Sequence, residues 1–483
     1  MGHEKPHFDL NSEYYKFEGR MKTISITFIV LGIIGAAWAF FGYEANKHSR
    51  FWSNFLLNTY YFNGMAITAI FFVSAHTIGY GGWFASLKRI FESFGSFVII
   101  SVIFFLIIIA GLWFDWHNLY HHWTHAPASD TIVGDKIAFL NKNMFTSLSV
   151  AFFALWLIGI RMIRKHSLSS DMLTDEYAYN QRSKYIAAFY IVVFGVSSSV
   201  FSWMAVMSLD PHWYSTLFGW YNFASYMCGF LCMSLIVVLY LKYKGLLNFV
   251  NDSHIHNIVL FLFGFSVFWT YLWFSQYMLI WYGNIPEDTM YFYKRFEIPL
   301  FKILFFVALI LNFFFMFLFL IKRSAKRNPW VYGIAAGIIL FGHYLDFYSM
   351  VMFEPNAPMH HEEAISDKSH HSSAATNSNK LLAENHEVSK ASDSVHAISN
   401  LVKEEESAVH ADVPAHEASH NAVDHNSSAH DTPHNMASIG LIEIFMFLGF
   451  IGLFLFSVLS SLSKDRLVPL KSPFLDESLN YKW

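Results

Sequence analysis

The ionisable and amide side chains that interrupt long apolar runs are where this sequence could do chemistry, because a charge in hydrocarbon is costly unless it faces protein, water or a partner. The clearest set is the run GHYLDFYSMVM, with His343 and Asp346 three residues apart. On a helix that spacing puts both on one face. A carboxylate and an imidazole so placed can pass a proton near neutral pH. They can equally form a buried structural pair, or touch a ligand. Glu443 follows a few apolar residues and precedes a long apolar run, Gln276 stands among Tyr271, Trp273 and Tyr277, and His76 precedes Gly79, Gly81 and Gly82. Each fits either a chain of side chains and waters or a polar group held at a helix end. Asp210 and His212 flank Pro211 in the polar stretch SLDPHWYST, where proline disfavours helix at Asp210. They could take up or release a proton, or cap the next element. The proton-path candidates are therefore His343, Asp346, Asp210, His212, Glu443 and Gln276.

Other chemistries lack their residues. The only cysteines, Cys228 and Cys232, share one apolar segment and offer neither a disulfide framework nor a Cys-ligated cluster nor a CxxCH haem site. Haem would need facing axial ligands at a common depth, and no apolar segment carries the two-histidine pattern of a multi-haem cytochrome. Walker, HExxH and GxSxG motifs do not occur in a suitable context. No catalytic or metal-ligating residue is assigned.

The elements that must position these groups follow from composition. Of 483 residues, 54% are hydrophobic and 14% charged, which marks an all-α polytopic membrane protein rather than a set of soluble domains. The net charge of -4 gives no reason to expect nucleic acid. A helix needs about 20 apolar residues to cross the hydrocarbon core. Ten segments meet that demand, near 21–42, 54–80, 95–114, 143–163, 185–208, 219–241, 256–282, 299–321, 330–353 and 437–461. The first is of full length with no small-x-small site behind it, which reads as a span rather than a cleaved signal. With both termini in the cytoplasm, 21 of the 32 Lys and Arg fall on the cytoplasmic side and seven in the short loops opposite. Trp116, Trp123, Trp213, Trp220 and Trp281 read as interface anchors.

The sequence thus divides into a cytoplasmic segment 1–20, a nine-span core 21–353, a loop 354–436, the tenth span 437–461 and a cytoplasmic tail 462–483. Residues 356–435 hold 12 of the 25 histidines and almost no aromatic residues. Such a composition cannot bury enough apolar area to offset the entropy of ordering, so a flexible periplasmic spacer is expected. Its histidines form no fixed ligand set.

Three runs carry a resemblance: SLDPHWYSTLFGWY from Ser208 to Tyr221, FSQYMLIWYGNIPEDT from Phe274 to Thr289, and GHYLDFYSMVM from Gly342 to Met352. Together they resemble the ActF-type membrane subunit of bacterial alternative complex III, a quinol:cytochrome c oxidoreductase, within the larger NrfD/polysulfide-reductase-like membrane family. The resemblance covers most of residues 20–353 and the final span. It implies ten transmembrane helices arranged as two four-helix bundles plus two additional helices in the bacterial inner membrane. It also implies an ActC-type quinol-binding membrane subunit as neighbour, with multihaem c-type cytochrome and iron-sulfur subunits carrying the haems and clusters. Membrane lipids surround the assembly, and electrons pass toward cytochrome c or a partnered terminal oxidase. Within it the chain is expected to be a scaffold with a role in proton translocation, not catalytic in isolation. Direct quinone binding through His76, Gln276 or His343 is the alternative expectation. An independent ion or solute transporter is a third, although no pair of broken helices marks a midplane substrate site.

Overall fold

The computed structural model describes residues 14–42, 45–127, 129–172, 176–353, 439–469 and 472–482. The His-rich loop, with the whole of the segment 354–436, lies outside the described residues, as does most of the N-terminal segment. Among the described residues there is no strand, and ten helices are long and apolar enough to cross a membrane. The chain is an all-α polytopic membrane protein. Spans one to ten are Arg20–Gly42, Ala45–Ile78, Lys88–Trp113, Lys142–Ser169, Glu176–Ala205, Leu217–Tyr243, Asp252–Gly283, Pro299–Leu320, Pro329–Val351 and Leu441–Leu462.

Local chemistry sets several helix starts. Asn141 accepts from Met144 N at 2.8 Å ahead of span four, and Asn328 accepts from Trp330 N at 3.0 Å ahead of span nine, where Pro329 takes a position whose N–H would be unpaired anyway. Asn251 and His254 cap one another's backbone at the start of span seven. Spans two and five begin about nine residues before their apolar runs, at Ala45 and Glu176. Helical backbone bonds satisfy themselves wherever residues are tolerated, so a helix outruns the membrane and its polar ends escape a hydropathy reading.

Spans two to five form one four-helix bundle and spans six to nine a second, joined where spans two, six and nine meet. Burial follows: 94% of the apolar window of span two is buried, 83% of span six and 72% of span nine, against 17% of span one. Spans one and ten are the additional pair. They pack along their whole length, with Gly32 and Gly449 back to back, where a Cβ on either would strike the other's Cα. Hydrocarbon offers no hydrophobic drive between helices, so such close backbone approach supplies the packing instead.

Successive spans alternate in direction, so the 2/3, 4/5, 6/7 and 8/9 connections and the end of span ten share one face, the terminal face. There the fully buried Arg89 donates to Val468 O at 2.9 Å and to Asp171 at 2.8 Å, while Arg164 reaches Glu92 and Asp465 at 3.2 and 2.8 Å. The C-terminal tail is thereby tied to the bundle ends. On the opposite face an amphipathic helix, Pro286–Glu297, joins spans seven and eight, with Glu287 and Asp288 in its first turn and Lys294 and Arg295 in its last, as the helix dipole favours. Of the five tryptophans read as interface anchors, Trp116, Trp220 and Trp281 are exposed, whereas Trp123 and Trp213 are buried. Trp213 stacks on Tyr291 of the amphipathic helix at 4.0 Å, which fixes a connection rather than a depth.

Candidate functional site

Asp346 lies five residues from the end of span nine, buried where spans six, seven and nine meet. Tyr221 Oη of span six donates to its Oδ1 at 2.6 Å, and Trp269 Nε1 of span seven donates to its Oδ2 at 3.3 Å. His343 does not join it. Its ring stands edge-on to Trp269 at 5.2 Å, and neither imidazole nitrogen has a hydrogen-bond partner among the described residues. The expected direct pair is therefore corrected: Trp269 takes the place beside Asp346 that the helical spacing alone would give to the imidazole.

A cavity of about 40 Å³ opens at Asp346, lined also by Gln276, Tyr221, Tyr291, Arg295 and Ser349. At roughly 10–15 Å³ of such space per water, it has room for about three or four waters. Arg295 is its cationic wall. The guanidinium lies over the Tyr291 ring at 3.6 Å and the Phe353 ring at 4.5 Å, and donates to Tyr291 O at 2.9 Å. On its far side it stands 4.0 Å from Asp210 Oδ2, and Lys294 stands 4.0 Å from Oδ1. A smaller space of about 10 Å³ lies between Asp210 and Arg295, sharing Phe218, Tyr291, Arg295 and Met350 with the first. Asp346 and Arg295 thus line one water-sized cavity, and Arg295 and Asp210 line the smaller one that shares residues with it. Nearby, Lys136 donates to Pro211 O at 2.6 Å; burial holds its ammonium below the usual range, countered by Asp210, Asp130 and Asp288.

The structure thus gathers Asp346, Gln276 and Asp210 and leaves the other sequence candidates elsewhere. His212 turns from Asp210 to Asp130, Nε2 to Oδ2 at 2.8 Å, and is partly exposed. Asp130 in turn caps a short helix by accepting from Val133 N at 3.1 Å. Glu443 is clamped: Arg50 donates to it from Nε at 2.7 Å and Nη2 at 2.9 Å, Gly440 N at 2.8 Å and Asn54 Nδ2 at 3.3 Å. Four donors on one carboxylate make an anchor between spans two and ten. His76 lies near the terminal face, its Nδ1 on Phe72 O at 3.0 Å and its ring among Phe72, Trp83, Phe84 and Phe261. His76 thus stands apart from Gln276 and His343, because span two ends where span seven begins.

Arg295, Tyr221, Tyr291 and Trp269 were not singled out from the sequence. The apolar-run reading passed over residues 286–297 as a loop, although Pro286 at a helix start and the charge order along it signal a helix. Span eight also contains a π-helical turn, Ile310–Phe315, whose Asn312 amide has no partner among the described residues and abuts Gly342. Among the described residues no group of three or more His, Cys, Asp or Glu converges as a metal site. A larger space, about 640 Å³, is an open aromatic groove along span seven lined by Trp83, Phe261, Phe265 and Phe268, the first two of which also pack on the His76 ring. No protein-family model matches the chain, and no curated protein matches it.

Proposed function

We propose that this chain is a non-haem membrane subunit of a bacterial respiratory quinol:cytochrome c oxidoreductase of the alternative complex III type, acting as scaffold and handling protons at Asp346. The observation that carries the proton role is the 40 Å³ cavity that Asp346, Gln276 and Arg295 share within a largely aromatic lining. Ligand pockets for ring-sized molecules run to about 300–1,000 Å³, so this cavity favours water over a quinone head. Redox centres belong, on this reading, to the multihaem and iron-sulfur partners, and quinol oxidation to an ActC-type neighbour. Purification through a tag on this chain tests the assignment. It should bring down c-type haem and quinol-dependent reduction of cytochrome c; a chain that comes out alone, without haem, overturns it.

We place both termini in the cytoplasm of a bacterial inner membrane, on the bias of 21 Lys and Arg against seven in the short opposite loops. Reporter fusions after residues 165, 244 and 326 should then read cytoplasmic, and one within 356–435 periplasmic. The reverse pattern would invert the direction in which protons meet Asp210.

A further inference from the structure

His76 forms part of a crevice on the terminal face. The crevice lies between the end of span two, the first turns of span five and the C-terminal tail. Lys88 and Lys184 both line it, with the Ser183 and Ser472 side chains. Among the described residues no carboxylate lines it, and neither lysine has an acidic partner. Glu477 of the tail rests against Gly82, outside the lining. Tyr80 adopts the left-handed backbone region, with φ of 50°, which non-glycine residues rarely take. That conformation lays its ring beneath the Lys184 ammonium at 4.4 Å.

Two lysines lining one crevice, with no acid among its described lining residues, leave positive charge that an anionic ligand can balance in place of water and counterions. The space is about 30 Å³, room for two or three waters and so for one tetrahedral oxyanion. It is an order of magnitude short of a ring-sized pocket. Its depth is that of lipid headgroups, because span two ends at Ile78 and the next turn begins the crevice. Basic pockets between membrane helices recognise anionic headgroups by this chemistry.

We infer that the crevice binds the phosphate of an anionic phospholipid, held by Lys88 and Lys184. The lipid, rather than free phosphate, is the occupant because the site opens at headgroup depth. The assignment is independent of the proton role. The test is native mass spectrometry of the full chain, with its co-purifying subunits, after delipidation and titration with phosphatidylglycerol, phosphatidylcholine or inorganic phosphate. Phosphatidylglycerol should bind at least tenfold more tightly than phosphatidylcholine. Lys88→Gln with Lys184→Gln should weaken it about 30-fold, from roughly one lysine's surface attraction each. Lys88→Arg with Lys184→Arg should retain it, which separates lost charge from lost fold. Unchanged binding in the glutamine pair, equal binding of the two lipids, or saturation by inorganic phosphate that excludes the lipid would each overturn the assignment.

Discussion

Asp346→Asn is expected to leave the chain in the membrane at near-normal abundance while lowering about tenfold or more the protons translocated per quinol beyond the two that quinol oxidation itself releases. Asparagine can still accept the 2.6 Å bond from Tyr221, so the stronger contact survives. Its amide nitrogen would face Trp269 Nε1, donor against donor, and the 3.3 Å bond is lost at about 0.5–1.5 kcal/mol. That cost is small against the 5–15 kcal/mol of a typical fold. What disappears is the exchangeable carboxylate facing the water-sized cavity. Asp346→Leu is the contrast: it strands both donors at about 1–3 kcal/mol each, so its yield should fall. A merely structural Asp346 would show both variants losing abundance, with proton stoichiometry unchanged in whatever assembles. Yield, quinol oxidation and proton release measured separately in reconstituted membranes decide between the two, and wild-type stoichiometry in Asp346→Asn ends the relay assignment.

The number of spans was legible because apolar length is a one-dimensional property, and Asp346 was legible because a carboxylate inside such a length is rare. The partner of Asp346 was not. Helical spacing states which residues share a face, but the donors come from Tyr221 and Trp269, 125 and 77 residues away in sequence. Bundle packing chose them over His343, one turn back on the same helix. Arg295 escaped for a related reason. A basic residue in a polar connection reads as solvated, whereas here the Pro286–Glu297 helix folds over the bundle end and aromatic rings desolvate the guanidinium. Asp210 and His212, neighbours across one proline, face different partners because the turn at Pro211 separates their directions. Proximity in sequence was a poor guide at a turn and a good one along a helix.

Glu443 had the sequence signature of a proton carrier, and its surroundings make it an anchor, so the two readings predict opposite outcomes for its partner. Arg50→Ala should sharply reduce the amount of folded chain. Glu443 is 1% exposed, and removing the guanidinium leaves a buried carboxylate with only Gly440 N and Asn54 Nδ2 as donors. Breaking a buried pair from one side costs about 3–5 kcal/mol; because Arg50 retains some solvent access, the lower end applies. Removing both charges should restore the protein. In Arg50→Met with Glu443→Gln, the glutamine carbonyl oxygen still accepts from Gly440 N, the methionine fills the arginine stem's place, and no charge is left to solvate. Replacing a buried pair as a unit is often close to neutral. An anchor therefore predicts a collapsed single variant and a recovered double variant with normal proton release. A carrier predicts that the double variant assembles and fails in proton release, since glutamine cannot shuttle a proton. Thermal stability and proton stoichiometry on the same two preparations separate the cases, and loss of proton release in the well-folded double variant would return Glu443 to the path.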